Sequence, residues 1–281
     1  MLAIIGGTGI YSLGEIEVGQ ECRVDTPFGQ PSSEVQVGRW GKHDVLFLPR
    51  HGSHHQLLPH EINYRANIFA LKKLGATQLI SLSAVGSLSE DIAPGHLAIA
   101  DQYFDWTRGK RAASFFGEGV VAHVSTASPA SRNLIDWLAS GAKALGIPCH
   151  PGVTYAAVEG PRLGTQAESH FLRTAGCHTV GMTNVPEAFL AREAQICYAS
   201  MGIVTDYDCW MQDPEMHVKA TEIFALYRES IRKAVMVLRH VLSGDLAAEE
   251  EDIRSALAFA LLTPPDALSQ EQREFLEVLR K

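Results

Sequence analysis

Tyr198-Ala-Ser-Met-Gly-Ile-Val204 runs into Thr205-Asp206-Tyr207-Asp208-Cys209-Trp210, and the organisation of the chain turns on how this stretch is read. An apolar run with no charge predicts a strand with both faces buried. Two carboxylates spaced i, i+2 at its end, Asp206 and Asp208, fall on the same side. A strand end is also where open α/β sheets put their ligand crevice. The pair can accept two hydrogen bonds from a flat polar heterocycle, or donate one when protonated. The same residues fit a helix N-cap plus a surface acid in a strand-to-helix loop, so the neighbours must decide.

Outward from this stretch, strands alternate with helices. Downstream, a long amphipathic pattern from about Val218 to Leu242 predicts a helix. Upstream, Thr179 to Thr183 reads as a strand. It leads to Asn184-Val-Pro-Glu187, which reads as a capping box for a helix reaching about Gln195. Thr165-x-x-Glu168 predicts a second capping box, and Ser128-Pro129 predicts an N-cap with proline at N1 for a helix through Leu145. Leu97 to Ala100 reads as a strand, followed by a surface loop from Asp105 to Gly119. The expected fold is a single α/β domain over residues 1–243 with a central mixed sheet flanked by helices. Residues 244–281 are expected to form a helical tail broken at Pro264-Pro265.

With 281 residues, 46% hydrophobic and 20% charged, the chain is long enough for one large α/β domain. A formal net charge of -8 gives no electrostatic reason to expect a nucleic-acid or membrane partner. An anionic substrate must therefore be met by local cations and backbone amides. MLAIIGG at the N-terminus lacks the basic and apolar regions of a signal peptide, and no apolar run is long enough to span a bilayer. Five scattered cysteines without a CxxC pair predict reduced thiols in a cytoplasmic protein. His54, His55 and His60 match no helical metal-ligand spacing, so no metal is expected.

Four strand ends offer donors to an oxyanion. Gly6-Gly7-Thr8-Gly9 follows the first strand, where glycines let amides approach an anion and Thr8 adds a hydroxyl. It is not a dinucleotide fingerprint, because G-x-G-x-x-G is missing. Val45 to Pro49 delivers Arg50-His51, a fixed-charge fork with a second donor beside it. Gln78 to Ser83 opens into Ala84-Val85-Gly86, with Ser83 able to donate. Met182-Thr183 is the fourth. Four donor sites suit phosphate better than a carboxylate. With the two acids, they suggest phosphate at one end of a site and a purine-like heterocycle at the other.

Ordered blocks extend this pattern: IIGGTGI, VDTPFG, RHG, INYRANI, SAVGSL, DQYFD, VEGPR, AES, MTNVPE and ICYAS before TDYDCW. From residue 1 to about 242 the chain resembles the 5′-methylthioadenosine phosphorylases, in the trimeric branch of the purine nucleoside phosphorylases. The resemblance implies a phosphate site of Thr8, Arg50, His51, Ser83, Ala84 and Thr183. It places Met182 under the ribose, Asp206 at purine N7 as the catalytic acid, and Asp208 at the exocyclic 6-amino group. His123, in VVAHVS, matches a histidine that reaches the sugar's 5′ region from a neighbouring subunit, implying a homotrimer with shared sites. Phosphate is a co-substrate, and neither metal nor organic cofactor is implied.

The departures are local. Ser83 stands where the family usually has threonine, and the hydroxyl survives. Leu163-Gly164 stands where the family often has an aromatic and then a serine, which removes a stacking face and a polar contact to the base. The segment around His217-Val218, which matches the family to within one residue of register, is expected to line the pocket for the 5′ substituent. A 6-oxopurine nucleoside or methylthioinosine phosphorylase keeps the same fold, but Asp208 would then set acceptor against acceptor. An adenosine or 5′-deoxyadenosine phosphorylase differs only at the 5′ group. A non-catalytic nucleoside-binding protein would need a broken phosphate site, and here every donor position is filled.

Overall fold

A computed structural model describes residues 1–7, 16–107, 109–213 and 220–281, with the side chains of 220–226 excepted. Its strands are β1 (Leu2–Gly6), β2 (Glu17–Cys22), β3 (Val35–Trp40), β4 (His43–Pro49), β5 (Gln78–Ser87), β6 (Leu97–Trp106), β7 (Cys149–Val158), β8 (Thr179–Gly181) and β9 (Cys197–Tyr207). The helices are α1 (Tyr64–Lys73), α2 (Arg132–Ala144), α3 (Gln166–Thr174), α4 (Asn184–Glu193), α5 (Ala220–Leu242), α6 (Glu251–Arg254) and α7 (Gln270–Arg280). The strands pair in the order β2-β3-β4-β1-β5-β8-β7-β6-β9, and β9 also pairs back onto β5. Strands β5, β8, β7, β6 and β9 therefore close a ring, while β1 to β4 extend from β5 as an open wing. Parallel pairs (β1 with β4 and β5, β5 with β9) coexist with antiparallel ones (β5 with β8, β6 with β9), so the sheet is mixed as expected.

Alternation explains why β1 and β5 carry no charge. Leu2 and Ile4 of β1 face a core built with Ile80, Met201 and Leu238. Ala3 and Ile5 face a second core with Leu71, Leu190 and Tyr198. Helices cover both faces, so each position must be apolar or fully hydrogen-bonded. The tail packs onto this body: Ile253 joins the first core, and Leu257 and Leu279 the second.

Several local expectations shift. The Thr165 capping box forms. Helix α2 begins one turn later than Ser128-Pro129, because Ser131 accepts from Leu134 N–H at 3.2 Å and caps it. Glu187 does not cap α4, since its carboxylate is taken by Arg50. Strand β6 runs on through Trp106, and the loop after it is largely exposed as expected, but two of its side chains turn inward. Arg111 and Phe115 are buried. Arg111 donates to the Met182 and Val185 carbonyls at 2.7 Å each and to the Glu159 carbonyl at 3.0 Å. One guanidinium can satisfy several carbonyls that a tight turn leaves without partners, a need no periodicity reveals.

Candidate active site

The two acids come together through an irregularity at the end of β9. Val204 pairs with Val85 and Asp206 with Gly86, so Thr205 is an extra residue opposite the β5 edge. A bulge of this kind bends the strand and re-aims the side chains beyond it. Thr205 Oγ1 donates to Asp206 Oδ1 at 2.6 Å. Asp208 N–H bonds the Ser87 carbonyl at 2.9 Å, continuing the pairing past the strand. Gly86 lies against both acids: a Cβ there would sit 3.8 Å from Asp206 Oδ2, 3.5 Å from Asp208 Cβ and 3.2 Å from Val180. Cys209, in the same turn, has its thiol pushed up by burial and then by Asp208, and it donates weakly to the Gly164 carbonyl at 3.6 Å. It braces the loop and is no nucleophile.

A cleft of ≈ 1240 Å³ opens above this turn, ample for a nucleoside with an anion beside it. Arg50, His51, Ser83, Ala84, Met182, Thr183, Asp206 and Asp208 all line it. These residues come from four separated segments of the chain, so their convergence is a tertiary result. Thr8 lies outside the described residues, as do His217 and Val218. His123 does not line the cleft of its own chain. It is exposed, with its N–H bonded to the Ala260 carbonyl at 3.0 Å, beside the tail.

The phosphate-type donors are more committed than their sequence implies. Arg50 is 1% exposed and grips Glu187 with Nε at 2.8 Å and Nη2 at 3.1 Å. Nη1 donates to the Leu82 carbonyl, and Nη2 also to Ser81 Oγ. Among the described residues, one Nη1–H of the five remains for the cleft. Burial opposes its charge, but the Glu187 carboxylate outweighs this and raises the guanidinium above its ordinary pKa. His51 Nδ1 faces the Leu57 carbonyl at 2.8 Å. A carbonyl only accepts, so Nδ1 carries the proton. Burial lowers this histidine to about 4, leaving a neutral ring whose Nε2 is an acceptor. The ring donor expected at His51 is thus already used, and the ring suits a protonated oxygen.

Ser83 Oγ donates to Asn184 Oδ1 at 3.1 Å. The Asn184 amide donates to Ser81 Oγ and Tyr198 OH at 2.9 and 3.0 Å, and Tyr198 OH donates to Glu187 at 2.9 Å. This buried network lies beneath Arg50 and Ser83 in the cleft. Thr183 precedes α4, and its hydroxyl makes no cap bond. Met182 Sδ lies so close over Gly160 that a Cβ there would meet it at 2.5 Å.

Helix α5 adds residues that sequence reasoning missed: Tyr227, Arg228, Ile231 and Arg232 line the cleft. Their 1-4-5 spacing is the one available signal, since it marks a single helix face. Nothing in the sequence shows which way that face points. Among the described residues no group of three or more His, Cys, Asp or Glu is placed to hold a metal ion.

Known proteins sharpen this geometry. A family model for the Phosphorylase superfamily matches residues 1–243, which sets the class. The S-methyl-5′-thioadenosine phosphorylase of Geobacter sulfurreducens is 42% identical over 99% of this chain and 97% of its own length. That of Hyperthermus butylicus is 45% identical over 93% and 94%. A methylthioadenosine phosphorylase structure from an antarctic soil metagenomic library superposes with a TM-score of 0.88 at 38% identity, covering 99% of this chain and 98% of that one. The Schistosoma mansoni methylthioadenosine phosphorylase in complex with tubercidin gives 0.84 at 31%, covering 93% and 98%. The chain belongs to the S-methyl-5′-thioadenosine phosphorylase family.

Proposed function

We propose that the protein cleaves 5′-methylthioadenosine with inorganic phosphate, giving adenine and 5-methylthioribose 1-phosphate. The observation that carries this reading is one cleft lined both by the two acids Asp206 and Asp208 and by donors at Arg50 and Thr183. Phosphorolysis needs the two sets held apart, because phosphate attacks C1′ from the face opposite the departing base. The breaking bond makes the sugar cationic and loads negative charge onto the purine. Asp206, assigned to N7, shares a proton there and relieves that charge. Asp208 accepts from the 6-amino group. Phosphate is held by the remaining Arg50 N–H, the Thr183 hydroxyl and the β5 backbone at Ala84, which is a strand residue and not the turn expected from the sequence. His51 Nε2 accepts the proton of a phosphate hydroxyl. The enzyme contributes position and fixed dipoles, and no covalent intermediate is required.

The assembly we infer is a homotrimer in the cytoplasm, with His123 completing a neighbour's site. Support comes from the surface around it: Phe259 is 97% exposed, and Leu262 and Val121 are also exposed. All three flank the bridge between Ala122 and Leu261 beside His123. All five cysteines are unpaired, in keeping with a reducing compartment. No described helix is long and apolar enough to cross a membrane.

The test is a phosphate-dependence assay. Purified protein with methylthioadenosine should release adenine only when phosphate is present, with 5-methylthioribose 1-phosphate formed in equal amount. Adenine release that ignores phosphate would mean a hydrolase.

A further inference from the structure

A second, smaller cavity of ≈ 140 Å³ lies behind the end of the cleft that holds the acids. The two cavities share Val158, Gly164, Val180 and Asp208 as walls; Asp206 borders only the cleft. Gly164 has no side chain to close the boundary. A Cβ built on it would have only Glu168 Oε2 within 4 Å, at 3.9 Å, so the space beside it is open. Trp106, Leu172, Val158 and Val180 give the small cavity apolar surface; Glu159 and Ser169, and at its outer side Lys110 and the paired Arg162 and Glu168, give it polar groups. Ser169 is 1% exposed. Among the described residues, Glu159 Oε2 is buried without a hydrogen-bond partner, while Ser169 Oγ has only the weak partnership of the Cys209 thiol. The cavity's apolar walls on the side of Val158 and Val180 can receive a further small group that leaves the cleft past Gly164.

We propose that this cavity is a subsite for a substituent on the exocyclic nitrogen of the base, and that the enzyme phosphorolyses N6-monosubstituted 6-aminopurine nucleosides. The proposal rests on the assignment of Asp208 to the 6-amino group. Asp208 borders both cavities, so a group leaving that nitrogen on the side away from the cleft enters the smaller one. An engineered protein cavity of about 150 Å³ holds benzene. Five or six heavy atoms therefore fit. A monosubstituted amine keeps one N–H for Asp208, whereas a disubstituted amine leaves the carboxylate unmatched. The reaction itself is unchanged. The C1′–N9 bond breaks, a phosphate oxygen bonds C1′, and the substituted base leaves with a proton at N7.

The experiment compares kcat/KM of the wild-type enzyme, with phosphate, for methylthioadenosine, its N6-cyclopentyl derivative and its N6,N6-dimethyl derivative. The N6-cyclopentyl compound should fall within about tenfold of the parent, as a well-seated apolar group permits. The N6,N6-dimethyl compound, although smaller, should fall at least about 100-fold. Ser169→Leu, which fills the small cavity, should lose the N6-cyclopentyl substrate and keep the parent, whose turnover certifies the fold. If that variant fails to fold, the wild-type comparison still decides. A wild type that cleaves the dimethyl compound as well as or better than the cyclopentyl compound overturns the subsite. Loss of all activity on methylthioadenosine itself would instead remove the functional reading, and the subsite with it.

Discussion

Arg50 and Glu187, 137 residues apart in sequence, meet as a two-pronged ion pair with both side chains 1% exposed. On the proposed reading, Arg50 serves the anion site and the fold through the same guanidinium. Breaking a buried pair from one side leaves an uncompensated charge, which costs about 3–5 kcal/mol. Arg50→Ala should therefore lose stability as well as phosphate affinity. The double replacement Arg50→Met with Glu187→Leu should recover much of the stability. Its phosphate requirement should stay raised by roughly 10–150-fold, the worth of a charge-assisted donor. Urea denaturation and phosphate titration of both variants separate the two roles. A double variant with a wild-type phosphate titration would remove Arg50 from the anion site.

Base choice should lie with Asp208. An ionised carboxylate accepts from an amino group at C6 and offers nothing to a carbonyl. A site built for one polar group rejects an analogue lacking it by up to about 10⁴–10⁵. The kcat/KM ratio for methylthioadenosine over methylthioinosine should therefore be well above one. In Asp208→Asn, whose amide can donate, it should move toward the 6-oxo substrate. An unchanged ratio in the variant would take Asp208 out of the base site.

His123 is expected to act in the neighbouring subunit. Chains inactivated by His123→Ala and chains inactivated by Asp206→Asn, unfolded together and refolded as mixed oligomers, should regain part of the wild-type activity. Some sites would then be assembled from two intact halves. Mixed oligomers verified by mass that remain inactive would count against a shared site.

Glu193 sets a pH dependence of stability. Burial is the leading cause of a carboxyl raised from 4.5 to about 7, against the opposing bonds from Phe115 N–H and Ser114 Oγ. The folded state therefore holds a proton that the unfolded state has released between those two values. Its stability contribution is complete below pH 4.5 and is lost as pH rises through 7. Glu193→Gln mimics the protonated form. It should match wild type near pH 4.5 and exceed it by about 2–3 kcal/mol at pH 8. Denaturation at the two pH values checks this. A variant less stable than wild type at pH 8 would show that the carboxylate is tolerated there.

Much of the fold was legible because it depends on period and punctuation. The uncharged runs at residues 2–5, 45–49 and 198–204 are strands, as continuous apolar stretches between turn residues require. The Thr165-Glu168 box started its helix because both partners lie within one turn. The Asn184-Glu187 box looked the same and failed, because a buried arginine competes for a carboxylate more strongly than a backbone N–H does. Arg111 was unreadable for a related reason: a guanidinium pinned among carbonyls of two distant segments leaves no periodic trace.

The sequence by itself determined which residue types face the cleft, since Asp206-x-Asp208, Arg50-His51 and Met182-Thr183 each sit at a strand end; Ser83-Ala84 lies within β5, which runs on to Ser87. Only the tertiary structure decided what those groups have left to offer. Hydrogen-bonding capacity is finite, and partners distant in the chain claim it first. Glu187 takes most of Arg50, Leu57 takes the His51 N–H, and Asn184 takes the Ser83 hydroxyl. The bulge at Thr205 aims the two acids, and α5 supplies a wall that local sequence could not orient. Side-chain identity is local information. Direction and residual valence depend on contacts between segments, and those exist only once the sheet has closed on itself.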